Sequence, residues 1–153
     1  MPEGMKGNKD AVAETIENNV RSKIIKDHLA DPAFYDKMSK LLDEIIETRK
    51  AKAIEYEAYL KEIAELVKQV EGGQAPDTPN SIKTPGQRAL YNNHGQDEEL
   101  ANKVDQAVKT KRPDGWRGVV AKERVVKRAL YDVLKDKDEV ERIFLIIMQQ
   151  KEY

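Results

Sequence analysis

Apolar residues return every three or four positions along most of this chain, and nowhere do they alternate singly with polar ones. Phe34, Met38, Leu41, Leu42, Ile45 and Ile46 fall on one helical face; Tyr56, Tyr59, Leu60, Ile63, Leu66, Val67 and Val70 make another. Val12, Ile16, Val20 and Ile24 recur every four residues before them. A period near 3.6 cannot be met by a half-buried strand, whose side chains alternate faces at every residue. Charged residues are 36% of the sequence, against about 25% in an ordinary domain, so the apolar stripes are narrow and the solvated faces broad. The expected fold is all-α, a helical bundle of about six to seven helices with a long helical hairpin in the N-terminal half.

The punctuation between stripes supports this division. Asn8 is placed to cap the first helix, and Glu17 and Arg21 have the spacing of an i,i+4 pair. Asp31 before Pro32 reads as an N-cap followed by a proline at the first helical position. Residues 48–55 contain neither Gly nor Pro, so a hairpin turn and one continuous helix both fit there. Gly72 and Gly73 end the stripe, and the loop GGQAPDTPNSIK over 72–83 follows. The chain reads as one helical domain, 1–153, or as two helical parts, 1–71 and 84–153, divided by that loop. Thr84-Pro85-Gly86-Gln87 has the spacing of a capping box for a short helix ending near Asn92-Asn93-His94-Gly95. Asp97 caps the next helix, with acids in its first turn and bases in its last. After the turn Pro113-Asp114-Gly115, helices are expected near 118–134 and 138–150.

Several function classes find no support. Without cysteine there is no disulfide, thiolate zinc site or cysteine nucleophile, in keeping with a reducing cytosol. No apolar run approaches the roughly 20 residues of a membrane helix, and MPEGMKGNKDAV lacks the apolar core of a signal peptide. The sequence carries no GxxxxGK[ST], GxGxxG, GxSxG or HExxH. His28 sits at an expected helix end and His94 among turn residues, and both read as structural. Asp43, Glu44 and Glu47, like Glu62 and Glu65, alternate with stripe positions and read as solvated faces. We therefore expect no catalytic residue, metal or small-molecule ligand in this chain.

Charge is uneven along the chain. Residues 109–128 hold eight basic and two acidic side chains, while the whole protein is at −1. If residues 117–135 form one helix, Arg117, Arg124, Arg128 and Lys135 fall within about 20° of one line at 100° per residue. Val126, Leu130 and Val133 then point the opposite way. Helix amphipathicity explains where these charges lie but not why nearly all are positive. Such a ridge is either a plain solvated face or a surface for an acidic protein or for DNA phosphates. Trp116, the lone tryptophan, is either a lid on the helix start or an interface anchor beside arginines. The candidate partner-binding set is accordingly Trp116, Arg117, Arg124, Arg128 and Lys135.

Four blocks in this order, AVAETIENNVRSKII, DPAFYDKMSKLLDEIIETRKAKAIEYEAYLKEIAELV, DGWRGVVAKERVVKRAL and VERIFLIIMQQKEY, together resemble the C-terminal helical region of the R subunit of type I restriction-modification enzymes. The resemblance covers most of the chain outside the 72–83 loop. It implies a bacterial, cytoplasmic, non-catalytic domain that docks onto the methyltransferase core of modification and specificity subunits, or else braces the DNA-translocating motor by contacting the duplex backbone. It also implies that ATP and Mg belong to motor and nuclease domains outside this chain, and that the opening MPEG is an arbitrary starting point. No catalytic residue of that family maps here.

Overall fold

In the computed structural model the backbone is described from residue 3 and side chains from residue 8, so the opening Met1 and Pro2 lie outside the described residues. Those residues form seven α-helices, a single 3-10 turn and no strand: α1 (Glu3–Asp27), the turn His28–Ala30, α2 (Pro32–Lys50), α3 (Tyr56–Gly72), α4 (Pro85–Asn93), α5 (Glu98–Lys111), α6 (Val120–Leu134) and α7 (Lys137–Met148). The fold is all-α. The chain divides into two compact units, one of residues 1–28 and 35–74, the other of 29–34 and 75–153.

The first unit holds three helices. Arg21 of α1 bonds Asp43 of α2, and Glu17 bonds Arg49, so α1 and α2 run antiparallel. α3 returns alongside α1, with the Tyr59 hydroxyl beside the Ala13 carbonyl and Val67 and Val70 beside Ile16 and Val20. Between α2 and α3 the chain turns at 51–55 instead of continuing as one helix. The N–H groups of Lys52 and Ala53 donate back to the Arg49 and Thr48 carbonyls, with Lys52 left-handed at φ 56. This is a Schellman closure built without glycine, which is why the sequence does not announce it.

Two expectations for α1 need correction. Asn8 lies inside the helix and does not cap it. Glu17 pairs with Arg49 and Arg21 with Asp43, so the i,i+4 pair between them is not made. The inner face runs through Ala13, Glu17, Val20 and Ile24, while Val12 is 50% exposed. A charged residue, Glu17, thus takes the place on the inner face that Ile16 was expected to fill. Arg49 grips both Glu17 carboxylate oxygens at 2.7 and 2.9 Å, and the buried Tyr59 hydroxyl donates to the same carboxylate at 2.7 Å. Those bonds hold the Arg49 guanidinium above its ordinary pKa, and burial followed by the Glu17 hydrogen bond pushes the Tyr59 phenol up. One carboxylate ties all three helices together.

The second unit closes four helices into a ring: α4 packs on α5, α5 on α6, α6 on α7, and α7 on α4. Leu90, Val104, Val108, Trp116, Val126, Leu130, Ile143 and Ile147 lie in its core. The sequence signals at its helix starts are all used. Thr84 and Gln87 make both bonds of a capping box, Asp97 caps α5, and Asp136 caps α7. Residues 149–153 fold back over the ring. Glu152 accepts from the Gly86 N–H at the start of α4, and the Tyr153 hydroxyl donates to the buried Asp105. A Cβ on Gly86 would lie 2.6 Å from the Glu152 carboxylate and 2.7 Å from the Tyr153 ring, so only glycine allows this approach.

Candidate functional site

The basic window spans the end of α5, a turn and α6, and the structure sorts its eight cations into two groups. Five are tied internally. Lys109 bridges Asp105 and Glu152, Arg112 donates to the Glu152 carbonyl, and Lys122 donates to the Asp114 carbonyl. Lys127 pairs with Glu141 and lies 4.7 Å from the centre of the Phe144 ring. Arg117 is the fifth.

Arg117 departs from the expected ridge. Gly118 takes φ 79 and α6 begins only at Val120, so Arg117 lies in a turn. Its guanidinium donates to the Met148 and Gln150 carbonyls and stacks 4.7 Å from the Trp116 ring centre. The carbonyls at the end of α7 have no partners within the helix, and Arg117 supplies donors to them. Glu123, the acid that interrupts the basic run, is likewise structural: it accepts from the Gly118 N–H at the start of α6.

Trp116 is buried and not presented to solvent. It is 2% exposed, tilted against Phe144 at 5.7 Å between centroids, and its indole N–H donates to the Tyr153 backbone oxygen at 3.0 Å. An indole with its apolar body packed and its one donor satisfied has nothing left to offer a partner. This packing is that of a lid on the start of α6.

Arg124, Arg128 and Lys135 are exposed, and among the described residues no ion pair or hydrogen bond engages their side chains. Lys135 lies just past the helix, left-handed at φ 59, its N–H closing on the Tyr131 carbonyl. Lys111, at the end of α5, is a third free cation of the window. The sequence reading passed it over as a complement to the helix dipole. Its spacing from Leu100, Lys103 and Ala107 was the available signal, since these positions recur along one side of α5.

The outward side of α6 is not purely cationic. Val120, Val125 and Tyr131 are 63%, 45% and 42% exposed and lie around Arg124 and Arg128. Beside them, a groove between α5 and α6 is lined by Ala107, Lys111, Val125, Arg128, Ala129 and Val133, with Asp132 its one acid. It continues along α5 past Leu100, Lys103 and Gln106. The site is therefore an apolar trough edged by unpaired positive charge.

The two histidines each lie against a carboxylate. His28 lies 2.8 Å from Asp36, and His94 lies 3.0 Å from Glu139. Arg142, with His94 behind it, holds the Glu139 carboxyl below its ordinary range. Among the described residues no three His, Asp or Glu side chains converge to hold a metal, and no helix is long and apolar enough to cross a membrane.

Asp31 makes the most titration-sensitive contact. Its carboxylate caps the first turn of α2 through the Phe34 N–H and takes the Asn92 and Asn93 amides. Burial raises its pKa to about 6, outweighing those hydrogen bonds. The folded protein therefore holds this proton more tightly than the unfolded chain. The stability that Asp31 contributes is full below the unfolded value near 3.8 and is lost as pH rises through about 6. Wild type should exceed Asp31→Asn in stability most at about pH 4, the margin shrinking by up to roughly 3 kcal/mol toward neutrality. Urea denaturation of both proteins across that range checks this; a margin independent of pH would refute it.

Comparison with known proteins finds no matching family model, no significantly similar curated protein and no significantly similar solved structure.

Proposed function

We propose that this chain is a non-catalytic docking module: the C-terminal helical domain of a type I restriction enzyme R subunit, which attaches the motor to the methyltransferase core. The family assignment rests on the four ordered sequence blocks. The docking role rests on the outer side of α6, where Arg124 and Arg128 stand unpaired among exposed Val120, Val125 and Tyr131. Free cations interleaved with exposed apolar side chains suit a protein partner, whose surface offers both carboxylates and apolar groups. A duplex backbone offers phosphates alone.

The test is co-elution of the chain with a methyltransferase core of modification and specificity subunits, with and without duplex DNA. Wild type should co-elute without DNA. The Arg124→Glu/Arg128→Glu variant should bind at least about tenfold more weakly while keeping its helical circular-dichroism spectrum. Undiminished co-elution of that variant would remove docking from this face. The same cations favour one other reading, contact with duplex phosphates. That reading requires binding to DNA alone, falling with salt at a log–log slope of roughly −0.9 per phosphate neutralised.

A further inference from the structure

We infer that the trough between α5 and α6 is the seat of an acidic amphipathic helix supplied by the partner; this rests on reading the α6 side as the docking surface. The trough has a volume near 320 Å³ and a floor of Ala107, Val125, Ala129 and Val133, all small or β-branched. Such a floor is shallow and smooth enough for helix ridges to enter. Lys111 stands on the α5 side and Arg128 on the α6 side, with Asp132 the one acid among them, so two of the three charges that flank the apolar strip are cations. A helix whose apolar stripe is bordered by carboxylates matches that arrangement: its leucines meet the floor and its acids meet the two cations. The lining continues on α5 from Leu100 to Lys111, roughly 16 Å at 1.5 Å per residue. Three turns of helix would cover it. A basic helix would meet Lys111 and Arg128 with like charge, and an extended acidic chain would leave the apolar floor uncovered.

The probe is a fluorescein-labelled, stapled peptide of about four turns, built of alanine and glutamate with leucines along one face. Its control is a scrambled peptide of the same composition. Binding is followed by fluorescence anisotropy, and the contact is mapped by amide chemical shifts of the labelled protein. The patterned peptide should shift amides of α5 near 107–111 and α6 near 125–133. Lys111→Glu/Arg128→Glu should weaken it at least about tenfold. Val125→Glu should do the same, and because Val125 is already 45% exposed this variant keeps its fold. Equal binding of the scrambled peptide, or shifts confined to other helices, would overturn the inference. So would self-association of this chain through the trough, seen as a dimer that Val125→Glu dissolves. The two readings also fail separately. Undiminished co-elution of Arg124→Glu/Arg128→Glu, beside peptide binding that Val125→Glu abolishes, would sink the docking role and leave the acidic-helix seat standing. Loss of co-elution in Arg124→Glu/Arg128→Glu, with no peptide binding and no effect of Val125→Glu, would sink the seat and leave docking standing.

Discussion

Arg49→Met should destabilise the first helical unit by about 3–5 kcal/mol. The loss is large because of what stays behind. Glu17 is 4% exposed, and without Arg49 its carboxylate keeps the Tyr59 hydroxyl but no neutralising charge. A buried carboxylate left this way must stay ionised at a heavy desolvation cost, take up a proton or pull the helices apart to reach water. The pair is not required as such. Replacing both partners in Glu17→Leu/Arg49→Met should recover most of the loss, because the desolvation cost of both charges disappears with them. Tyr59→Phe should cost less, about 1.5–3 kcal/mol, through one hydrogen bond to a buried carboxylate. Urea denaturation followed by far-ultraviolet circular dichroism gives all three values. A single variant costing no more than an exposed ion pair, under about 1 kcal/mol, would show that α1, α2 and α3 hold together by apolar packing alone.

Trp116→Ala should cost the second unit about 3–5 kcal/mol, the range for removing a large aromatic side chain from a packed core. Three elements lose their common contact at once: the turn before α6, Phe144 of α7, and the 149–153 segment held by the indole N–H. Arg117 loses the ring under its guanidinium and with it part of what aims it at the Met148 and Gln150 carbonyls. Trp116→Phe should keep most of the packing and lose chiefly the hydrogen bond, for about 1–2 kcal/mol. Denaturant midpoints compared by circular dichroism decide it. If Trp116→Ala were instead nearly neutral in stability yet abolished core binding, the indole would belong to an interface and its burial would be transient.

These costs bear on how the proposed docking surface is to be tested. The +6 window is mostly internal wiring: five of its cations position the turn, α6 and the chain after α7, leaving Lys111, Arg124 and Arg128 free. Reversing one of the five would damage the fold and mimic a loss of binding. Only the free three report on a partner.

The sequence alone determined what depends on local spacing. The apolar stripes of α2 and α3 lie on helices as read, and the caps at Asp31, Thr84 and Asp97 and the stop at Gly73 act where they were read. Such signals need only the residue and its neighbours within one turn. The tertiary structure decided everything that depends on a partner distant in sequence. Glu17 became core because Arg49 and Tyr59, 32 and 42 residues away, meet it there. Lys52 takes the left-handed conformation without a glycine, at a cost of about 1–2 kcal/mol, where its N–H and that of Ala53 close on the Arg49 and Thr48 carbonyls and the chain turns from α2 into α3. Arg117 left the cationic ridge because unpaired carbonyls after α7 lie within its reach. Charge sign and helical angle are written in the sequence. Whether a given cation faces solvent or a carbonyl is settled only when distant helices come together, because a long side chain can serve either and packing alone decides which is near.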